Sequence, residues 1–97
     1  MSNLQVEVLG GGNVRVAGEI TFFTVNEALS FNVLSKTDQV KINLGGITRS
    51  DSAGLALMIH WMREAKKAGV DLSFEEIPEN LFALAKVSYL DELLPIG

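Results

Sequence analysis

The sequence predicts an α/β domain with a four-stranded mixed sheet and helices packed mainly on one face. Three observations predict it. Four short segments alternate apolar and polar residues with period two, a glycine run joins the first two as a hairpin, and helical segments separate the later ones. A hairpin followed by strand–helix–strand alternation implies one antiparallel pair plus parallel strands joined by right-handed crossovers.

The elements follow in order. Leu4, Val6 and Val8 alternate with Gln5 and Glu7, as on a half-buried strand. Gly10-Gly11-Gly12-Asn13 reads as a turn, because it lacks the Lys-Ser/Thr ending and following helix of a phosphate-binding loop. Val14 and Val16 flank Arg15 and complete the hairpin. Gly18-Glu19-Ile20 leads to Thr24, which with Glu27 three residues later has the capping-box spacing and predicts a helix over 25–35. Val40, Ile42 and Leu44 form a third strand, which Gly45-Gly46 is expected to interrupt. Asp51-Ser52 opens the longest helical segment, which runs to Ala68 and is closed by Gly69 as a C-terminal cap. Val70, Leu72 and Phe74 mark the fourth strand. Pro78-Glu79 starts a last helix to about Ser88, with proline where its missing N–H costs nothing. No repeat, linker or low-complexity segment intervenes, so residues 1–97 read as a single domain.

Composition narrows the function classes. At 97 residues the chain can bury roughly two-thirds of its unfolded surface, enough for one core. A hydrophobic fraction of 47% and a mean hydropathy of +0.25 imply a well-filled core or apolar surface kept for a partner. The chain has no cysteine, hence no disulfide or thiolate metal site, which suits a reducing compartment. A single histidine does not supply a protein-built zinc site. The net charge of −4 argues against nucleic acid or anionic lipid as a direct partner. Met1 to Leu9 shows no signal-peptide pattern, and no apolar run approaches the ~20 residues of a membrane span. No cofactor is expected, and any membrane role would be peripheral.

The long helix carries the candidate site. On a wheel, Leu55, Leu57, Met58, Ile59, Trp61, Met62, Ala65 and Ala68 fill an arc of about 200°, against the ~100° that packing on a sheet requires. Either one flank, with Leu57 and Trp61, faces a partner, or neighbouring helices cover both flanks. Exposed, Trp61 would be the natural interface anchor. Ser52 also has two compatible readings. Its oxygen can cap free N–H groups at the helix start. A phosphate on it would meet those N–H groups and the positive dipole end, adding about two negative charges beside Asp51. His60 has no Ser or Asp arrangement that would make it a catalytic base. Arg63, Lys66 and Lys67 oppose the dipole at the helix C-terminus, and Glu75, Glu76 and Glu79 favour the start of the last helix. None of these needs a catalytic explanation.

Ile42-Asn43-Leu44 followed by Asp51-Ser52-Ala53-Gly54-Leu55 resembles the STAS family of sulphate transporter and anti-sigma factor antagonist domains. That family's pattern is a strand ending in Asp-Leu, a loop, then Asp-Ser-x-Gly-Leu opening a helix. Gly18-Glu19-Ile20 is similar to its Gly-Glu-hydrophobic turn. The resemblance covers nearly the whole chain in element order and implies a STAS-like fold. Gly54-Leu55-Ala56-Leu57, His60, Ala65-Lys66-Lys67 with Gly69, and Leu84-Ala85-Lys86 are most similar to MlaB-like subunits of Mla phospholipid-transport ABC transporters in Gram-negative bacteria. This resemblance implies a cytoplasmic, non-catalytic subunit that binds and supports the transporter's ATPase and so helps maintain outer-membrane lipid asymmetry. The alternative, which Asp51-Ser52 at the helix start and the broader STAS resemblance imply, is an anti-sigma factor antagonist regulated by a partner kinase at Ser52. The candidate partner-binding or phospho-acceptor set is therefore Ser52, Asp51, Gly54, Leu57 and Trp61. Asn43 departs from the family's usual Asp, which removes an extra carboxylate from any phosphorylation mechanism.

Overall fold

The computed structural model describes residues 4–22, 24–26 and 38–87. Strands β1 (Leu4–Gly10), β2 (Asn13–Ile20), β3 (Gln39–Ser50) and β4 (Asp71–Glu75) form one sheet in the order β1-β2-β3-β4. β1 and β2 pair antiparallel; β2–β3 and β3–β4 pair parallel, so the sheet is mixed. Helix α1 (Ser52–Ala68) connects β3 to β4, and α2 (Glu79–Val87) follows β4.

Period-two patterning sorts the strand side chains. Val14, Val16, Val40, Ile42, Leu44, Leu72 and Phe74 are buried, whereas Arg15 and Lys41 between them are exposed. The buried set forms one cluster with Leu55, Leu57, Met58, Trp61 and Ala65 of α1 and Leu81 and Ala85 of α2. Both described helices thus cover the same sheet face, as the alternation predicts. At the β1–β2 turn Gly10, Gly11 and Gly12 all have positive φ, of 85°, 61° and 81°, a conformation other residues adopt only with strain.

One local expectation changes. The glycine pair does not interrupt β3, which continues through Gly45-Gly46 to Ser50. The register with β2 shifts there, from Arg15↔Asn43 to Ala17↔Gly46. A Cβ on Gly46 would lie 2.8 Å from Ala17 Cβ, so the missing side chain lets two strands approach across a bulge. The first helix begins at Val25, as the Thr24–Glu27 spacing suggests, and a turn leads into it. Thr21 O accepts from Thr24 N (3.0 Å) and Val25 N (2.9 Å), and Thr24 Oγ1 accepts from Thr21 N (2.9 Å). Thr24 thus closes a turn back onto Thr21 just before the helix. Val25 and Asn26 are helical; the rest of the expected helix, with Glu27, lies outside the described residues, as does Ser88.

The apolar excess of α1 is also placed differently. Leu57 and Trp61 are 1% and 2% exposed, so they belong to the core and do not form a docking flank. The buried stripe is centred on Gly54, Trp61 and Ala65, because α1 packs on α2 as well as on the sheet. The partly buried apolar residues, Ile59 and Met62, lie at the opposite edge of the arc.

Candidate docking site at the start of α1

Sequence at the end of β3 fixes this site. Ile20 pairs with Ser50 at the carboxyl ends of the parallel strands β2 and β3, and α1 begins two residues later. Asp51 makes the turn. It has extended φ/ψ of −131° and −162°, and its Oδ1 accepts from Ala53 N at 2.8 Å. Its own N–H donates to Ile20 O (3.3 Å), and Oδ2 accepts from Phe22 N (3.3 Å). One carboxylate therefore caps α1 and ties down the segment that follows β2.

This corrects the role of Ser52. Asp51 is the cap, and Ser52 is the first helical residue, with an exposed side chain. The shift is physical: Asp and Ser are nearly equal caps, and here the extended backbone falls on Asp51. The Ser52 hydroxyl is thus released from capping and faces outward at the positive end of the helix dipole.

Gly54 is corrected as well. It is buried, and a Cβ there would lie 3.0 Å from Leu81 Cδ2 and 3.4 Å from Ser50 Cβ. Its role is to let α2 sit against the first turn of α1. Asn80, in the first turn of α2, completes the join by donating to Ser50 Oγ (2.9 Å) and Ser50 O (3.2 Å). Of the expected site residues, Asp51 and Ser52 reach the surface together, while Gly54, Leu57 and Trp61 lie beneath them.

Two contributors escaped sequence reasoning. Asn80 looks like an ordinary helix-start residue. Phe22 lies in Thr21-Phe22-Phe23-Thr24, where adjacent aromatics fit neither period; that misfit was the available signal. Phe22 is 78% exposed.

The remaining polar residues lie apart. Asn43 Nδ2 donates to Glu76 Oε2 (2.7 Å) while its Oδ1 accepts from Gly45 N (2.8 Å). Asn43 precedes Ser50 by seven strand residues, roughly 20 Å along β3 at ~3.3 Å each. It lines a groove of about 410 Å³ with Arg15, Lys41 and Glu75, which includes none of Asp51, Ser52 or Phe22. His60 is half-buried, and Lys67 pairs with Glu64 at 3.9 Å on the surface. Among the described residues no cluster of three or more His, Cys, Asp or Glu could hold a metal ion, and no helix is long and apolar enough to cross a membrane.

A family model described as "Mlab, STAS domain" matches residues 7–95. The chain belongs to the STAS domain family. The same architecture occurs in the solved structure of the anti-sigma factor antagonist SpoIIAA in its unphosphorylated form, with a TM-score of 0.69 and 17% identity, covering 97% of this chain and 87% of that one. A sulfate transporter family protein from Wolinella succinogenes has a TM-score of 0.68 at 15% identity, covering 91% of this chain and 75% of that chain. At such identities these structures establish the shared STAS fold. The expected fold class, a mixed four-stranded sheet with helices on one face, agrees with them.

Proposed function

We propose that this chain is a non-catalytic STAS subunit that binds and supports the cytoplasmic ATPase of an Mla-type phospholipid-transport ABC transporter, held at the inner membrane through that partner. The observation that carries the reading is the outward-facing Ser52 at the first position of α1, freed from capping by Asp51. Such a surface suits docking: it is rigid, because Asp51 and Asn80 tie β2, β3, α1 and α2 together beneath it. The Mlab description of the matching family model supports this partner class.

Co-purification with the ABC ATPase encoded beside this chain is the test. A stable complex is expected, and replacing Ser52 by arginine or glutamate should weaken it at least tenfold, because an unpaired charge would be buried at the contact. A chain that stays monomeric with that ATPase present would refute the proposal.

The same exposed hydroxyl favours a second reading, an anti-sigma factor antagonist phosphorylated on Ser52. Phosphate there would meet the N–H groups of the first helical turn and add about two negative charges beside Asp51. Incubation with a cognate anti-sigma factor kinase and ATP, followed by intact mass, tests it; an unchanged mass rules this version out.

A further inference from the structure

The docking surface needs an apolar centre, because exposed polar contacts alone contribute little to affinity. Leu57 and Trp61 cannot supply it, since both are buried. Among the described residues at the start of α1, Phe22 can, being 78% exposed and joined to the helix through Asp51. We propose that Phe22 is the apolar anchor of the surface that grips the ATPase subunit, and that Asp51 is the positioning residue that aims it. This rests on the docking reading above.

The geometry divides Asp51 into two functions. Oδ1 accepts from Ala53 N and starts the helix; Oδ2 accepts from Phe22 N and holds the aromatic segment against it. The Ile20↔Ser50 pair makes the two segments one continuous surface. The exposed Asp51 carboxylate lies beside it, accepting from the Phe22 N–H, so the surface carries a negative charge at this point. The fitting partner surface is an apolar pocket large enough for a phenyl ring, with a basic side chain or N–H donor opposite Asp51.

Asn at position 51 separates the two functions. It caps as well as Asp, but its Nδ2 cannot accept from Phe22 N. Titration of the full chain with the ATPase subunit should show Phe22→Ala weakening binding about tenfold or more, with the melting midpoint shifted by no more than about 2 °C. Asp51→Asn should lose about three- to tenfold, and the Phe22→Ala/Asp51→Asn double variant should bind no more weakly than Phe22→Ala alone. A merely structural Asp51 would instead give losses that multiply. Amide exchange provides a readout without the partner: in Asp51→Asn the Phe22 N–H should exchange faster while the Ala53 N–H keeps its protection.

The outcomes separate the two ideas. No complex with the unaltered chain overturns the docking reading and this proposal together. A complex that Ser52→Arg weakens but Phe22→Ala leaves within twofold overturns the anchor alone. Multiplicative losses, or unchanged exchange at Phe22 in Asp51→Asn, overturn the positioning role.

Discussion

Asn43 shows how one side chain can account for its own identity. It must donate to Glu76 Oε2 and accept from Gly45 N at once, which an amide does and a carboxylate cannot. Asn43→Asp, the residue usual at this position in the family, would set two carboxylates against each other. We predict a loss of about 1 kcal/mol in urea unfolding, partly recovered at high salt. Glu76 already bears a positive φ of 53°, a cost that the Asn43 bond helps offset. The sequence does not reveal this pairing, because the two residues lie 33 apart and only the parallel β3–β4 register brings them together. Capping was misassigned at residue scale for a different reason. Asp51 and Ser52 are adjacent residues with equal capping chemistry, and composition cannot say which has extended backbone. Phe22 left only an indirect trace, an aromatic pair that no periodic element claims.

Elements were the most legible scale wherever one face is covered and the other is not. The strands announced themselves through alternation, and α1 through its span and closing Gly69, whose N–H donates to Ala65 O and Lys66 O. Gly45-Gly46 misled because a glycine pair reads as a break until the neighbouring strand is known. Its meaning lies in Ala17, on the opposite strand. We predict that Gly46→Ala destabilises by about 1–3 kcal/mol, since its Cβ would press on Ala17 Cβ and on the Ala17 backbone, 3.2 Å away at Cα. The penalty should shrink when Ala17 is replaced by glycine in the same chain, which a double-mutant cycle of urea midpoints measures. An equal penalty in both backgrounds would mean that another contact sets it.

At the scale of the whole molecule, a wide apolar arc on one helix did not mean a partner-facing flank. The extra apolar width is used by α2, which approaches α1 where Gly54 leaves room for Leu81. Trp61 belongs to the one core cluster that joins the sheet to both described helices. Its truncation to alanine should cost about 3–5 kcal/mol. As the single tryptophan it also reports on the core. Its emission should shift to the red on unfolding, in step with the loss of far-ultraviolet dichroism if the core breaks as one unit. A fluorescence transition preceding the dichroism change would show that the packing around Trp61 loosens before the secondary structure is lost.

Because the carboxylate of residue 51 secures the first turn, position 52 is available for chemistry that leaves the fold intact. The chain contains no thiol, so Ser52→Cys would carry its one sulfhydryl at the edge of the docking surface. A dye attached there by maleimide would sense an approaching protein through its change in brightness. The helix that carries the dye would remain anchored by its neighbour.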